Sequence, residues 1–209
     1  MYRAVLTLAW FAGTIYATIP LFSLAVRPLA KLSRARVHSP LLLMIPSWFI
    51  MMAIIYLVTW PWREAVLYRA PLAWLASVFL FGAAIVIYHR SRLGFSHGPL
   101  VGRSGRDPRR GRRLVTSGIR QQVRHPIYLA HLCMLLAWTV GSGGIVLYGL
   151  SIFALLTGWP MIRQEEAELE SRFGDEYRAY RRAVPAALMP SVLRFRLTKS
   201  RQPSEAIGR

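Results

Sequence analysis

The chain reads as an all-α integral membrane protein with about five transmembrane helices and a C-terminal cytoplasmic amphipathic helix. Three observations predict this fold class. Long apolar runs recur along the 209 residues. The composition is 54% hydrophobic and 17% charged, whereas soluble domains carry about 25% charged residues. The net charge of +18 is not spread evenly but falls in alternate intervals between the runs. So apolar a composition also excludes a disordered chain, which cannot bury enough surface to fold.

A bilayer core about 30 Å thick requires roughly 20 apolar helical residues. Ala4–Val26, Leu41–Trp60 and Pro71–Tyr88 are such runs, with no charge inside them. The first is too long for a cleavable signal and is followed by further apolar runs. Pro126–Val140 and Ile145–Pro160 are shorter and are separated only by Gly141-Ser142-Gly143-Gly144. That turn leaves no room for a crossover, so the last two runs are expected to form a tight antiparallel helical hairpin.

Charge sets the expected orientation. Residues 27–40 carry four Lys and Arg, residues 89–125 carry ten, and residues 161–209 carry ten more. The other side has only Arg3, Arg63 and Arg69. Positive residues remain in the cytoplasm. The N-terminus is therefore expected outside and the C-terminus inside, which an odd number of spans requires. The resulting organisation is a three-helix membrane region (1–90), a basic cytoplasmic loop (91–125), a helical hairpin with its cytoplasmic extension (126–190) and a basic tail (191–209).

Several function classes are excluded or disfavoured. The Gly- and Arg-rich stretch 96–113 has little aromatic interleaving and lies beside membrane spans, so anionic lipid headgroups are its expected partners rather than nucleic acid. Cys133 is the only cysteine. One thiol cannot form an internal disulfide, supply a multi-cysteine zinc site or run dithiol redox chemistry. It is expected to be packing. His38, His89 and His97 lie in basic intervals and are expected to be solvated, and no metal-ligand spacing is visible.

Polar groups at a membrane span are costly and tend to be functional. Two segments concentrate them. In Arg124-His125-Pro126-Ile127-Tyr128-Leu129-Ala130-His131, Pro126 suits the first turn of a helix. His125 and Tyr128 then share a face beside Arg124, and His131 lies about one turn deeper. In the second segment, Arg163, Glu165, Glu166, Glu168 and Glu170 follow the fifth run. Leu169, Phe173, Tyr177 and Tyr180 keep helical spacing, with Gly174 as a cap or kink. Glu168 and Glu170 suit a solvated face. Glu165 and Glu166 leave the membrane beside the other foot of the hairpin, so they are expected next to His125.

The Val123-to-Ala130 block (VRHPIYLA), the later Glu165-Glu166 pair and the FGDEYRAYRRAVP block at 173–185 resemble the isoprenylcysteine carboxyl methyltransferases. Wider relatives include phospholipid N-methyltransferases. The resemblance covers about residues 114–190. Ala130 stands where a Gly is usual, and Ile119-Arg120 where Pro-Tyr is usual. The resemblance implies S-adenosylmethionine as cofactor and a lipophilic acceptor, an isoprenylcysteine-type carboxylate or similar, entering from the bilayer. The candidate catalytic residues are then Arg124, His125 and Arg163. The candidate cofactor contacts are His125, Tyr128, Glu165, Glu166, Tyr177 and Tyr180. An acceptor carboxylate is already ionised at pH 7. An amine or thiol would need a proton sink, for which His125, His131 or a Glu would serve. An NADPH-dependent membrane reductase and a non-enzymatic lipid-binding protein are the alternative readings.

The charge distribution gives a direct test. Reporter fusions after Arg36, Arg69 and Arg209 are expected to read inside, outside and inside. An outside signal at Arg209 refutes the topology.

Overall fold

The computed structural model describes residues 2–33, 41–93 and 114–189. The elements are α1 (Tyr2–Ser33), α2 (Leu41–Thr59), α3 (Ala73–Leu93), α4 (Pro126–Ser142), α5 (Ile145–Phe173) and α6 (Asp175–Ala183), with short 3-10 turns at Trp60–Trp62 and Gly118–Gln121. Among the described residues the structure is helical apart from an isolated antiparallel bridge between Val66 and Gly144. The stretch 96–113, His38, His97 and the tail 191–209 lie outside the described residues.

Four helical segments are long and apolar enough to cross a membrane: Tyr2–Ala25, Ile45–Trp62, Ala73–Arg92 and Ile145–Phe173. α4 has the same apolar character but is 17 residues long. Outward-facing Leu57, Phe79 and Leu156 are largely exposed, a surface that suits lipid and not water. Pro46 and Pro160 lie inside α2 and α5. The apolar run expected to end at Pro160 therefore continues without a break into the acidic segment. A proline removes one backbone bond, which long membrane helices tolerate when neighbouring groups compensate.

The packing order differs from a simple hairpin. α4 packs most extensively along α3, and α5 along α1. Small residues allow the close approach. A Cβ at Gly141 would fall 2.7 Å from the Trp74 ring and 2.8 Å from Ser77 Oγ. Ser77 in turn donates to the Ala137 carbonyl at 2.7 Å. The buried Ser and Thr hydroxyls are satisfied within or between helices. Thr139 donates to Leu135 O at 2.8 Å and shares a 2.9 Å bond with Ser151 of α5. Trp10 Nε1 donates to Thr59 at 2.8 Å, joining α1 to α2.

Gly143 adopts φ 64° and caps α4, and α5 starts directly after Gly144. The chain between α2 and α3 closes over this turn. Leu67 N–H donates to Gly143 O at 2.8 Å, and Ile145 N–H donates to Ala65 O at 3.0 Å. The Tyr2 hydroxyl donates to Ser142 O at 2.6 Å, and the Tyr68 hydroxyl to Val140 O at 2.7 Å.

Gly143→Ala would place a Cβ 2.5 Å from the Tyr68 carbonyl. A left-handed alanine also costs about 1 kcal/mol by itself. The variant is expected to unfold at clearly lower temperature in detergent. Gly149→Ala, in a helix with nothing within 4 Å of its Cβ, is expected to hold or raise the midpoint. Equal losses in the two variants would refute this account of the turn.

Candidate functional site

At the end of the bundle opposite Gly143, the start of α4 is held by a strap from the chain's own C-terminal part. After α6 the chain passes beside residues 124 and 125. The Arg124 N–H donates to Ala186 O and the His125 N–H to Ala187 O, both at 3.0 Å. Arg124 Nη1 adds a bond to the Val184 carbonyl at 2.5 Å. Pro126 then opens α4 at a position where its missing N–H costs nothing.

Glu166 is the hub of the side-chain cluster. Its Oε1 accepts from Arg124 Nε at 2.8 Å and lies 2.6 Å from Nη2. The same oxygen is 3.3 Å from His125 Nε2. The Arg124 and Glu166 side chains are only 8% and 13% exposed. Glu165 Oε2 accepts from the Tyr128 hydroxyl at 2.5 Å and lies 3.7 Å from His125 Nδ1. One imidazole thus faces both carboxylates. The His125 and Tyr128 rings stack with centroids 5.5 Å apart and 10° between planes.

The two tyrosines of α6 pack beside this cluster. Tyr180 donates to the Arg120 carbonyl at 2.8 Å. Burial lowers the Arg120 guanidinium pKa, while Tyr180 and Glu165 oppose the shift. Tyr177 is 1% exposed, and its buried hydroxyl has no hydrogen-bond partner among the described residues. Burial first, and Glu166 second, push its phenol up to about 12. It therefore remains protonated, a donor awaiting an acceptor, at neutral pH.

Beside the cluster, α1, α4 and α5 line a partly open cavity of about 120 Å³. Tyr16, Tyr128, His131, Leu135, Trp159 and Leu188 are among its walls. Tyr128 belongs to both features, with its hydroxyl on Glu165 and its ring on the cavity.

The structure joins Arg124, His125, Tyr128, Glu165 and Glu166, and places Tyr177 and Tyr180 beside them. Arg163 is not part of the group: it is exposed. Helical geometry gives the reason. Glu165 and Glu166 stand four residues after the buried Met161 and Ile162 and share their face, whereas Arg163 turns away from it. Glu168 is exposed as expected. Glu170 does more than meet solvent, since it pairs with Arg178 and Arg181 at 3.3 Å each and ties α5 to α6. Gly174, at φ 54°, separates these two helices. Cys133 is half-buried. His89 is exposed at the end of α3. Sequence reasoning missed the strap at 184–187, whose bonds use main-chain atoms, and the contribution of Tyr16 to the cavity.

Removing one partner of a buried ion pair leaves the other charge uncompensated and costs about 3–5 kcal/mol. Arg124→Met and Glu166→Gln are each expected to destabilise the protein strongly in detergent unfolding. The double variant should lose clearly less than the sum, with a coupling of about 1–3 kcal/mol. Strict additivity would show that the pair does not act as a unit.

No protein-family model matches the chain, and no solved structure matches it. An uncharacterized protein of Haemophilus influenzae is 46% identical over 59 residues, which make up 28% of this chain and 94% of that protein. Over that stretch the chain belongs to the same family as the Haemophilus influenzae protein.

Proposed function

We propose that the chain is an integral-membrane methyltransferase that uses S-adenosylmethionine to methylate a lipophilic acceptor. The observation that carries this reading is the Arg124, His125, Tyr128, Glu165 and Glu166 cluster, with both charge signs, at the edge of an apolar cavity. The resemblance of the same residues to the isoprenylcysteine carboxyl methyltransferases supports it. In this reading α4 is a fifth span, the N-terminus lies outside, and the cluster faces the cytoplasm, where the cofactor is dissolved.

The residues present fit the cofactor. Its amino-acid end carries a carboxylate and an ammonium, and the cluster offers a guanidinium and two carboxylates. Arg124 suits the carboxylate, and Glu166 suits the ammonium, so the ligand would replace an ion pair that the protein makes with itself. The unpartnered Tyr177 hydroxyl supplies a further donor. Glu165 can accept from ribose hydroxyls, and Tyr180 closes the same side through Arg120. The stacked His125 and Tyr128 rings offer a flat face to a sulfonium, favoured by cation–π attraction. When bound, S-adenosylmethionine supplies an electrophilic methyl group. The chain's part is to align that methyl with the acceptor and to exclude water.

Calorimetry on detergent-purified protein tests this directly. S-adenosylmethionine is expected to bind and NADPH is not. Glu165→Gln and Glu166→Gln should each weaken binding by about tenfold or more, since a charged hydrogen-bond partner is worth roughly 1.5–3 kcal/mol. Glu168→Gln, on the exposed side of the same helix, should bind as the parent does. Equal losses at all three positions, or no binding by the parent, would sink the proposal.

A further inference from the structure

The end of the bundle that carries Gly143 holds a charge that the fold leaves unbalanced. Its basic side chains are Arg3, Arg63 and Arg69, and its acidic one is Glu64, the only carboxylate side chain before Asp107. Arg3 and Arg63 are far apart in sequence, yet the structure brings both to Glu64. Arg3 Nε lies 3.3 Å from one carboxylate oxygen, and Arg63 Nη2 lies 3.6 Å from the other. The Arg69 guanidinium sits over the ring of Tyr2, the residue before Arg3, 4.9 Å from its centroid. No carboxylate pairs with Arg69 among the described residues. Three cations therefore converge on the start of α1 with one anion between them.

That anion does not neutralise the group. Tight charge-assisted bonds run to about 2.7–2.9 Å, and both contacts to Glu64 are longer. The Arg3 and Glu64 side chains are 85% and 44% exposed, a setting in which an ion pair is worth little. Three positive charges against one leave a net charge of +2.

The surroundings select the kind of anion. Trp62 closes the second candidate span, Ile45–Trp62, and Ala73 opens the third, so the segment between them lies where spans end. Trp60, Trp62, Leu67 and Leu72 are exposed there. Arg63 packs on Trp60, with Cζ 3.2 Å from the ring centroid. Tryptophan and arginine together at a span end match the headgroup layer of a bilayer, where rings meet the glycerol level and guanidinium groups meet phosphate. The guanidinium fork fits two phosphate oxygens at once. A soluble anion would meet the arginines but gain nothing from the exposed rings and leucines. A diacyl phosphate uses both.

We propose that Arg3, Arg63 and Arg69 bind the phosphate of an acidic phospholipid in the leaflet at this end, whose acyl chains lie along the exposed apolar side chains of the same segment. The lipid supplies the counter-charge that Glu64 alone does not. A zwitterionic lipid brings its own cation and leaves the excess charge in place, so the site distinguishes the two classes. A lipid held here also steadies the 65–67 segment that covers the Gly143 turn. The proposal is independent of the methyltransferase reading, because none of its residues belongs to the cluster at the other end.

The test is photo-crosslinking of the full chain in nanodiscs. The probes are phosphatidylglycerol and phosphatidylcholine with identical acyl chains and a diazirine at the same position near the glycerol. Segment 60–72 is expected to be labelled about fivefold or more in favour of phosphatidylglycerol. Replacing the three arginines together (Arg3→Gln, Arg63→Gln and Arg69→Gln) should bring that ratio to about one. Labelling near Arg90 and Arg92, at the far end of α3, should not change. Glu64→Gln is expected to raise the preference, because it removes the competing anion. Equal labelling of 60–72 by the two lipids in the parent overturns the proposal. So does an unchanged preference in the triple variant, or a lowered one in Glu64→Gln. Loss of the phosphatidylglycerol labelling in excess glycerol 1-phosphate would assign the site to a soluble anion and overturn the lipid assignment. Should the triple variant fail to fold, the parent comparison and Glu64→Gln decide.

Discussion

The contact between Glu166 and Arg124 is the constraint around which this end of the molecule is arranged. It joins the foot of α5 to the approach of α4 in a place where neither charge reaches much water. A pair so buried recovers its desolvation cost only if its remaining hydrogen-bonding capacity is used. The surroundings meet that condition. Val184 takes another guanidinium N–H, and His125 shares the Glu166 oxygen. Each of these contacts places a further element: α6 and the strap on one side, and the His125–Tyr128 stack on the other. The apolar cavity follows, because Tyr128 is fixed between Glu165 and the cavity wall.

The opposite end is closed mainly by main-chain and hydroxyl hydrogen bonds. Gly143 turns the chain, and backbone bonds from the 65–67 segment cover the turn. Tyr2 and Tyr68 add hydroxyl donors to carbonyls that the end of α4 leaves free. Most of the polar contacts thus gather at the two extremities, and the intervening packing of α1, α3, α4 and α5 rests largely on small and apolar side chains. That division suits a molecule whose flanks face hydrocarbon, where an unpaired backbone group is expensive.

Much of this was legible in residue order alone. Charge-free runs marked the helices, and the Gly-rich turn placed His125 near Glu165 and Glu166. Gly174 marked the break between α5 and α6. Arg163 stands apart from the cluster because of the hundred-degree step between helical neighbours. The buried Met161 and Ile162 define the inward face, and Arg163 is off it. The apolar run ends at Pro160, and the helix carries the acidic segment on to Phe173. The role of Tyr16 could not be read, since it lies more than a hundred residues from its cavity partners on α4 and no periodicity links them. The strap was silent for a different reason: main-chain bonds leave no residue-type signature.

That silence has an evolutionary consequence. A strap built from carbonyls at 186 and 187 and from N–H groups at 124 and 125 is indifferent to most side chains. Substitutions at Ala186 and Ala187 can accumulate without loss of the bonds, because every residue type offers a carbonyl. Proline at 124 or 125 is barred, since it would delete a donor. Length is held more strictly than identity. One residue inserted or deleted between Gly174 and Ala186 would shift the acceptors out of step with their donors. Across relatives, this stretch should drift freely in sequence while keeping its length.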